Sequence, residues 1–274
     1  MIPTVKANGA DIPVIGLGTW QLNGAGARRA IETALDVGYR HIDTAAMYDN
    51  ESDVGAGLKA SPVPREDVFV TTKVWPDNIG DGPLQRSAEA SLRRLGLDYV
   101  DLLLIHWPNA EIPLKDSIRA LCEVKTRGLA RHIGVSNFPV KLIEEAVQLA
   151  SEPIATNQIE YHVFLDQAKI IAACRKHGIA VTAYCPLARG RVFESEVLKE
   201  IAEAKGRTVS QVATRWLVQQ AGVIAIPRSA KPERIKQNIE VFDFELTDAD
   251  LKRIAAVSDR RERIVNLGFA PAWD

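Results

Sequence analysis

The sequence predicts an α/β fold, a closed (β/α)8 TIM barrel with an N-terminal β-hairpin cap and an extra C-terminal helix and tail. Eight short β-branched or leucine-rich runs alternate with amphipathic segments, as parallel strands and their crossover helices do. No linker rich in Pro, Gly or Ser and no block of like charges interrupts this alternation. The length of 274 residues suits two ordinary domains or one barrel, and the unbroken series favours a single barrel domain over residues 1–274.

A turn signal predicts the N-terminal hairpin. Asn8-Gly9 lies between two short strand-like segments, Thr4–Lys6 and Asp11–Val14. Asn-Gly favours two-residue hairpin turns, because both positions of such a turn need positive φ. We expect this hairpin to cover the N-terminal end of the barrel.

The barrel elements follow in order along the chain. The predicted strands are Val14–Gly18, His41–Thr44, Val68–Lys73, Val100–His106, His132–Ser136, Ala155–Ile159, Ala180–Tyr184 and Val223–Ile226. Helices are predicted where apolar residues recur three and four positions apart. These segments are Ala27–Asp36, Pro83–Leu95, Leu114–Thr126, Val140–Leu149, Gln167–Lys176, Ser210–Gln219 and Glu233–Glu240.

Beyond the barrel, the sequence predicts one more helix and a packed tail. Thr247 and Asp250 have the spacing of a helix start, and the helix is expected to extend to about Val257. The irregular segment that follows contains Phe269 and Trp273. Because aromatic side chains bury large apolar areas, we expect this tail to pack against the barrel.

The composition argues against several classes of partner. Lys and Arg number 34 and Asp and Glu 35, a net charge of −1, so no overall field would attract nucleic acid or an anionic membrane. The N-terminus lacks the features of a signal peptide, and no apolar run approaches the roughly 20 residues needed to span a bilayer. We expect a soluble cytoplasmic protein.

The cysteines and histidines predict no metal site. Cys122, Cys174 and Cys185 are far apart in the chain and show no CxxC spacing, which argues against a disulfide framework and against a zinc site. The five histidines form no HExxH-type pair. We therefore expect no protein-bound metal.

Four polar residues lie at or just after the ends of predicted strands. Asp43, Lys73 and His106 each end a strand, and Tyr48 lies in the loop after Asp43. Active sites of such barrels lie where the strands lead into the βα loops. Each residue alone has an ordinary structural explanation, as a cap, a solvated charge or a packing residue. Together they predict a site, because charged groups at apolar strand ends need partners.

The chemistry that these residue types suit is proton delivery to a carbonyl. A phenol has an ordinary pKa of about 10, and we expect the ammonium of Lys73 to lower the pKa of Tyr48 by stabilising its phenolate. Asp43 would orient Lys73, and His106 would hydrogen-bond the oxygen of a bound carbonyl. A polarised carbonyl with a proton donor but no metal requires a hydride.

Several long motifs, in register over almost the whole chain, resemble the aldo-keto reductase family. GYRHIDTAAMYDNESDVG (38–55) matches the family signature, and IGLGTW (15–20), IGVSNF (133–138) and IPRSAKPERIKQN (226–238) match other motifs in the right order. The resemblance implies a (β/α)8 barrel, an Asp-Tyr-Lys-His tetrad and NADPH bound without a Rossmann glycine loop. The sequence agrees, since Gln21 stands where GxGxxG would need its last glycine.

The expected cofactor residues come partly from charge and partly from the resemblance. Arg228, Ser229 and Arg234 lie at a helix start, where two guanidinium groups would bind the ribose phosphate of NADPH. Arg228 stands where the family usually has lysine, and Ala188 where it often has glycine. The resemblance places a further set of residues at the adenine, the carboxamide, the nicotinamide ring and the pyrophosphate. The set is Thr19, Trp20, Asp43, Ser136, Asn137, Gln158, Tyr184, Leu187, Gln237 and Asn238.

Substrate recognition is expected at aromatic residues near the tetrad. Trp20, Trp75 and Trp107, with Tyr48 and His106, would line the substrate pocket. The loop PNAEIP (108–113) is short, which predicts an open pocket suited to small polar substrates.

The sequence TNQIEYH (156–162) and the tail NLGFAPAWD (266–274) resemble bacterial 2,5-diketo-D-gluconate reductases of the B type, which also reduce methylglyoxal. We therefore predict reduction of small polar carbonyls and a monomeric enzyme. The alternatives are a general aldehyde reductase, an NADPH-binding sensor barrel with little turnover, and a metal-dependent barrel hydrolase.

Overall fold

Eight parallel strands form the barrel, and each pairs with its neighbour in chain order. The structure is a computed structural model that describes residues 2–257 and 263–274. The strands are β3 (Leu17–Gly18), β4 (His41–Asp43), β5 (Phe69–Val74), β6 (Val100–Ile105), β7 (Ala130–Ser136), β8 (Ile154–Glu160), β9 (Ala180–Tyr184) and β10 (Val223–Ala225). The predicted fold class is confirmed, and each predicted strand coincides with an observed strand to within a few residues.

The first and last strands close the barrel through backbone hydrogen bonds. Gly16 N donates to Ala225 O at 2.9 Å, and Gly18 N donates to Pro227 O at 3.1 Å. A Cβ atom on Gly18 would lie 2.8 Å from Ile226 O, too close for a side chain. These two glycines are therefore explained by barrel closure, and no phosphate-binding loop is needed to account for them.

Ten helices occur in the described part of the chain. They are α1 (Gly24–Asp36), α2 (Glu51–Ala60), α3 (Pro83–Leu95), α4 (Leu114–Thr126), α5 (Val140–Leu149), α6 (Ala168–Lys176), α7 (Glu196–Lys205), α8 (Val209–Val218), α9 (Pro232–Ile239) and α10 (Asp248–Ala255). None of the ten is long and apolar enough to cross a membrane. The predicted bounds of α3, α4 and α5 are confirmed, whereas α2 and α7 were not predicted.

Helix α2 escaped prediction because it contains two glycines, which weaken helix propensity. Close packing requires both of them. A Cβ on Gly55 would lie 2.1 Å from Leu95 O, and one on Gly57 would lie 2.9 Å from Ile31 Cβ. Tertiary packing against α1 and α3 therefore outweighs the unfavourable local propensity.

The N-terminal hairpin forms as predicted from β1 (Thr4–Ala7) and β2 (Ala10–Pro13), which pair antiparallel. Its turn residues Asn8 and Gly9 both have positive φ, at 47° and 86°. Ile12 is fully buried in a cluster with Leu102, Leu104 and other residues of the barrel strands. The hairpin thus closes the barrel interior.

The C-terminal helix and tail also pack as expected. Thr247 caps α10 by accepting a hydrogen bond from Asp250 N at 3.2 Å, and the Asp250 carboxylate accepts from Thr247 N at 2.9 Å. Phe269 makes edge-to-face contacts with Trp75 and Trp107, with ring centroids 5.8 and 6.0 Å apart. The tail therefore lies over the end of the barrel where the predicted site residues are found. The part of the predicted tail at 258–262 lies outside the described residues.

Candidate active site

The four predicted catalytic side chains meet at the carboxyl-terminal ends of β4, β5 and β6. Lys73 Nζ donates to Asp43 Oδ1 at 2.5 Å and lies 3.4 Å from Tyr48 OH. The rings of Tyr48 and His106 are 5.7 Å apart, edge to face. Tyr48 reaches this cluster because a 3-10 turn, Ala46–Tyr48, follows β4 after two residues. The sequence therefore identified neighbouring side chains; their roles stay predictions.

The ion pair at the centre of the cluster is almost completely buried. The Lys73 side chain is 0% exposed and that of Asp43 is 2% exposed. Lys73 Nζ also donates to Thr44 O at 2.8 Å, and Gln158 Nε2 donates to Asp43 Oδ2 at 2.7 Å. Burial lowers the pKa of Lys73 from its usual value, and the Asp43 carboxylate opposes that shift. Both oxygens of the carboxylate are thus occupied, as a buried charge requires.

The expected effect of Lys73 on Tyr48 is not what the structure gives. The pKa of Tyr48 lies well above its ordinary value, chiefly because burial disfavours phenolate and secondarily because Asp43 repels it. Lys73 does not reverse this shift, since the carboxylate at 2.5 Å already neutralises its charge. The phenol therefore stays protonated, which is the state that a proton donor needs before reaction.

His106 is a neutral imidazole at the edge of the pocket. Burial, and then the charge of Lys73, hold the pKa of His106 well below its usual value. Its Nδ1 is buried without a hydrogen-bond partner. Its backbone carbonyl accepts from Asn137 Nδ2 at 3.0 Å, and its ring meets Trp75 edge to face at 5.3 Å. The ring is thus held by these contacts, while its buried Nδ1 has no hydrogen-bond partner.

The residues predicted for the carboxamide and the nicotinamide ring form one network at the ends of β7, β8 and β9. Tyr184 OH donates to Asn137 Oδ1 at 2.8 Å, Asn137 Nδ2 donates to Ser136 Oγ at 3.0 Å, and Ser136 Oγ donates to Gln158 O at 2.8 Å. Asn137 has φ of 62°, a conformation that asparagine tolerates. Gln158 links this network to Asp43, so the two predicted sets of residues are continuous.

Thr19 and Trp20 lie on the other side of the tetrad. Thr19 Oγ1 donates to Asp43 O at 3.0 Å, and Trp20 contacts the Tyr48 ring edge to face at 4.9 Å. Arg228 donates to Trp20 O at 3.1 Å and to Gln21 O at 2.9 Å. The predicted cofactor arginine is therefore tied to the loop after β3.

The remaining predicted cofactor residues lie around α9 and after β9. Ser229 is buried and its Oγ accepts from Lys231 N at 3.1 Å, at the start of α9. Arg234 and Gln237 are exposed on this helix, and Asn238 is buried. Leu187 is partly buried at the start of the 3-10 segment Ala188–Glu194.

The tail buries one of the three tryptophans predicted to line the pocket. Trp107 is only 3% exposed because Phe269 and Trp273 of the tail pack against it, with ring centroids 6.0 Å away in each case. Trp20 remains 40% exposed. The tail thus covers Trp107, and the openness of the pocket stays a prediction.

Two buried polar residues in this region, Glu160 and His162, were not identified from the sequence. The Glu160 carboxylate is buried and accepts hydrogen bonds from Ile264 N at 2.6 Å, Val265 N at 2.7 Å and the His162 ring at 2.9 Å. Burial alone would raise the pKa of Glu160, but these hydrogen bonds outweigh it and hold the pKa below its usual value. The available signal was Glu160 itself, the first residue of EYH and the one charged residue of β8.

Comparison with known proteins places the chain in a family. The model of the aldo/keto reductase family matches residues 14–259. The chain belongs to the aldo/keto reductase family. The resemblance carried by the sequence motifs and the expected oxidoreductase class are thereby confirmed.

Several relatives of this aldo/keto reductase cover nearly its whole length. Methylglyoxal reductase DkgB of Escherichia coli O157:H7 is 42% identical over 96% of this chain and 99% of its own length. A crystal structure of a proposed 2,5-diketo-D-gluconic acid reductase B is 45% identical, with a TM-score of 0.98 over 100% of this chain and 98% of the other. An aldo-keto reductase of Bombyx mori, solved in complex with NADP, is 34% identical with a TM-score of 0.88 over 97% of this chain and 96% of the other.

Proposed function

We propose that this aldo/keto reductase uses NADPH to reduce small polar carbonyl compounds, including 2,5-diketo-D-gluconate, methylglyoxal and related α-dicarbonyls, to alcohols. The observation that carries the proposal is the contact of Lys73 with both Asp43 and Tyr48 beside the neutral ring of His106. A protonated phenol and a neutral imidazole close together suit polarisation and protonation of a C=O group.

The chain offers groups that fit a nicotinamide dinucleotide. Tyr184 presents a partly exposed ring for stacking, and Ser136, Asn137 and Gln158 surround it with amide and hydroxyl groups suited to a carboxamide. When bound, NADPH would supply the hydride that the carbonyl carbon needs. The complex of the Bombyx mori relative with NADP supports this choice of cofactor.

The protein's own part of the reaction would be proton transfer and alignment. His106 would donate a hydrogen bond to the carbonyl oxygen and so hold it near Tyr48 OH. As negative charge grows on that oxygen, it becomes far more basic than phenolate and would take the proton of Tyr48. Lys73, 3.4 Å from the phenol oxygen, would then stabilise the phenolate, and Asp43 would keep Lys73 oriented.

Preference for NADPH over NADH would come from the corner formed by the end of β10 and the start of α9. Arg228 and Arg234 are both exposed there, and Ser229 lies beside the first turn of the helix. Guanidinium groups at a helix N-terminus favour a dianionic phosphate, which is the group that distinguishes the two cofactors. Around the rest of the cofactor, Thr19, Trp20, Leu187, Gln237 and Asn238 would complete the binding surface.

The proposed substrate class rests on the pocket and on the relatives. Trp20, Trp75 and Trp107 would form apolar walls around the polar tetrad, which suits small molecules with adjacent carbonyl groups. The names of the Escherichia coli relative and of the structural neighbour, a methylglyoxal reductase and a proposed diketogluconic acid reductase, support the same class. The monomeric state and the cytoplasmic location stay predictions.

A kinetic survey tests the proposal. We expect NADPH oxidation with 2,5-diketo-D-gluconate and methylglyoxal, at kcat/KM values above those for simple aldehydes and for aldoses. Simple aldehydes as the best substrates would indicate a general aldehyde reductase. NADPH binding without turnover of any carbonyl would indicate a sensor, and chelator-sensitive hydrolysis without a nicotinamide would indicate the metal-dependent alternative.

A further inference from the structure

The tail is fixed to the barrel by its backbone immediately after Arg263. The buried Glu160 carboxylate at the end of β8 accepts hydrogen bonds from the backbone N–H groups of Ile264 and Val265, at 2.6 and 2.7 Å. Further along, the Asp274 carboxylate accepts from Val140 N, at the start of α5, at 2.8 Å. These two anchors hold the tail over the ends of the barrel strands and set the position from which the Arg263 side chain extends.

The guanidinium of Arg263 is pre-oriented but incompletely satisfied. It lies 3.5 Å above the centroid of the Trp273 ring, and Trp273 Nε1 is itself held by Asn266 Oδ1 at 2.9 Å. Nη1 of Arg263 is buried and has no hydrogen-bond partner. The two oxygens of Glu160 are taken by backbone amides and by His162. A buried N–H of a cation without an acceptor is unfavourable, so this group favours any ligand that brings an anionic oxygen.

Arg263 is connected to the proposed substrate side through the aromatic residues of the tail. Its stacking partner Trp273 packs against Trp107 at 6.0 Å, and Trp107 directly follows His106 in the chain. Burial lowers the pKa of Arg263, whereas Tyr184 and Glu160 oppose that shift, which is consistent with a position near the ends of β8 and β9. The predicted phosphate-binding arginines, by contrast, lie at α9 and beside Trp20.

We propose that Arg263 is a specificity-determining residue that binds a carboxylate carried by the carbonyl substrate. With the face of the guanidinium covered by Trp273, the unpartnered Nη1 is the group that would donate to a carboxylate oxygen. The chain should therefore favour carbonyl compounds with an acidic group over neutral ones of the same size. This inference rests on the proposed reductase function and narrows its substrate class to carbonyl acids such as 2,5-diketo-D-gluconate.

A matched pair of substrates tests it: succinic semialdehyde, which has a terminal carboxylate, and butanal, which has the same number of carbons and no charge. In Arg263→Gln we expect kcat/KM for succinic semialdehyde to fall about 10- to 100-fold, the effect of losing a charge-assisted hydrogen bond, and that for butanal to fall less than about threefold. For Arg263→Lys we expect kcat/KM for succinic semialdehyde to lie between the values of the wild-type protein and of Arg263→Gln. Arg253→Gln removes an equal charge from an exposed partner of Glu200 and serves as the control. Equal losses for both substrates, or a raised NADPH Kd in Arg263→Gln, would overturn the proposal.

Two measurements on the wild-type protein keep the test decisive if the variants fold poorly. Added salt should lower kcat/KM for succinic semialdehyde but not for butanal, because only the first involves a charge pair. Binding of 4-hydroxybutyrate, followed by tryptophan fluorescence, should exceed binding of 1-butanol without any turnover. Reduction of butanal with no salt effect and no preference for the acid would leave the reductase function standing and refute the role of Arg263. If neither aldehyde nor methylglyoxal is reduced, the proposed function fails as well.

Discussion

The tetrad and the corner at the start of α9 hold their charged side chains in opposite environments, one buried and one exposed. In the tetrad, Lys73 and Asp43 are shielded from water and each has protein partners within hydrogen-bond distance. At the corner, Arg228 and Arg234 are exposed, and Arg228 donates to two backbone carbonyls. A buried charge must be neutralised by the fold itself, whereas an exposed cation can remain available to an anionic ligand. The reacting geometry would thus be built in before a ligand binds, while cofactor choice would depend on groups that the fold leaves available.

Removing the proposed proton donor should give the largest effect. Tyr48→Phe retains the ring and its contacts with Trp20 and His106 but deletes the phenolic proton. We expect kcat for methylglyoxal to fall about 10²- to 10⁴-fold with NADPH affinity within about threefold of wild type. Tyr161→Phe, whose phenol donates to Gln220 away from the tetrad, is the matched control. Turnover near the wild-type rate would show that another group delivers the proton.

Breaking the buried ion pair should reduce stability as well as rate. Lys73→Met fills a similar volume but leaves the Asp43 carboxylate buried without its cation, which costs about 3–5 kcal/mol in comparable cases. Lys125→Met, which breaks a partly exposed ion pair with Glu152, should cost at most about 1 kcal/mol. Denaturant unfolding of both variants measures the difference. Equal losses would mean that burial of the tetrad pair has little energetic consequence.

Removing the two exposed arginines of the corner should change the preference for NADPH over NADH without lowering the stability of the fold. We expect Arg228→Ala combined with Arg234→Ala to raise the NADPH Kd about 10- to 100-fold, since charge-assisted phosphate contacts are lost, and to change the NADH Kd less than about threefold. Lys236→Ala, in the last turn of the same helix, removes a charge at its other end and serves as the control.

Fluorescence titration at two salt concentrations provides the measurement, and the salt dependence of NADPH binding should weaken in the double variant. An unchanged NADPH Kd in the double variant would mean that the ribose phosphate is bound elsewhere.

Sequence reasoning succeeded where a residue's position follows from strand order. Asp43, Lys73 and His106 could be placed together because parallel strands end at one rim. It failed where a property depends on three-dimensional packing. The sign of the pKa shift of Tyr48 depends on burial and on the neutralisation of Lys73, neither of which is readable from spacing. The docking of the tail on Glu160 involves backbone amides of an irregular segment, which no periodicity encodes.

The smallest expected effect is that of pH, and it bears directly on the difference between buried and exposed groups. The pKa of Tyr48 lies well above its usual value and that of His106 well below, in both cases chiefly through burial. A raised pKa keeps the phenol protonated as pH rises to about 10, and a lowered pKa keeps the imidazole neutral as pH falls to about 6.5. We therefore expect kcat/KM for the uncharged substrate methylglyoxal to vary less than about twofold between pH 7 and pH 9. A decline with a midpoint below about pH 9 would instead mean that Lys73 does acidify Tyr48 when the cofactor is bound, and that the ion pair with Asp43 neutralises it less than the geometry indicates.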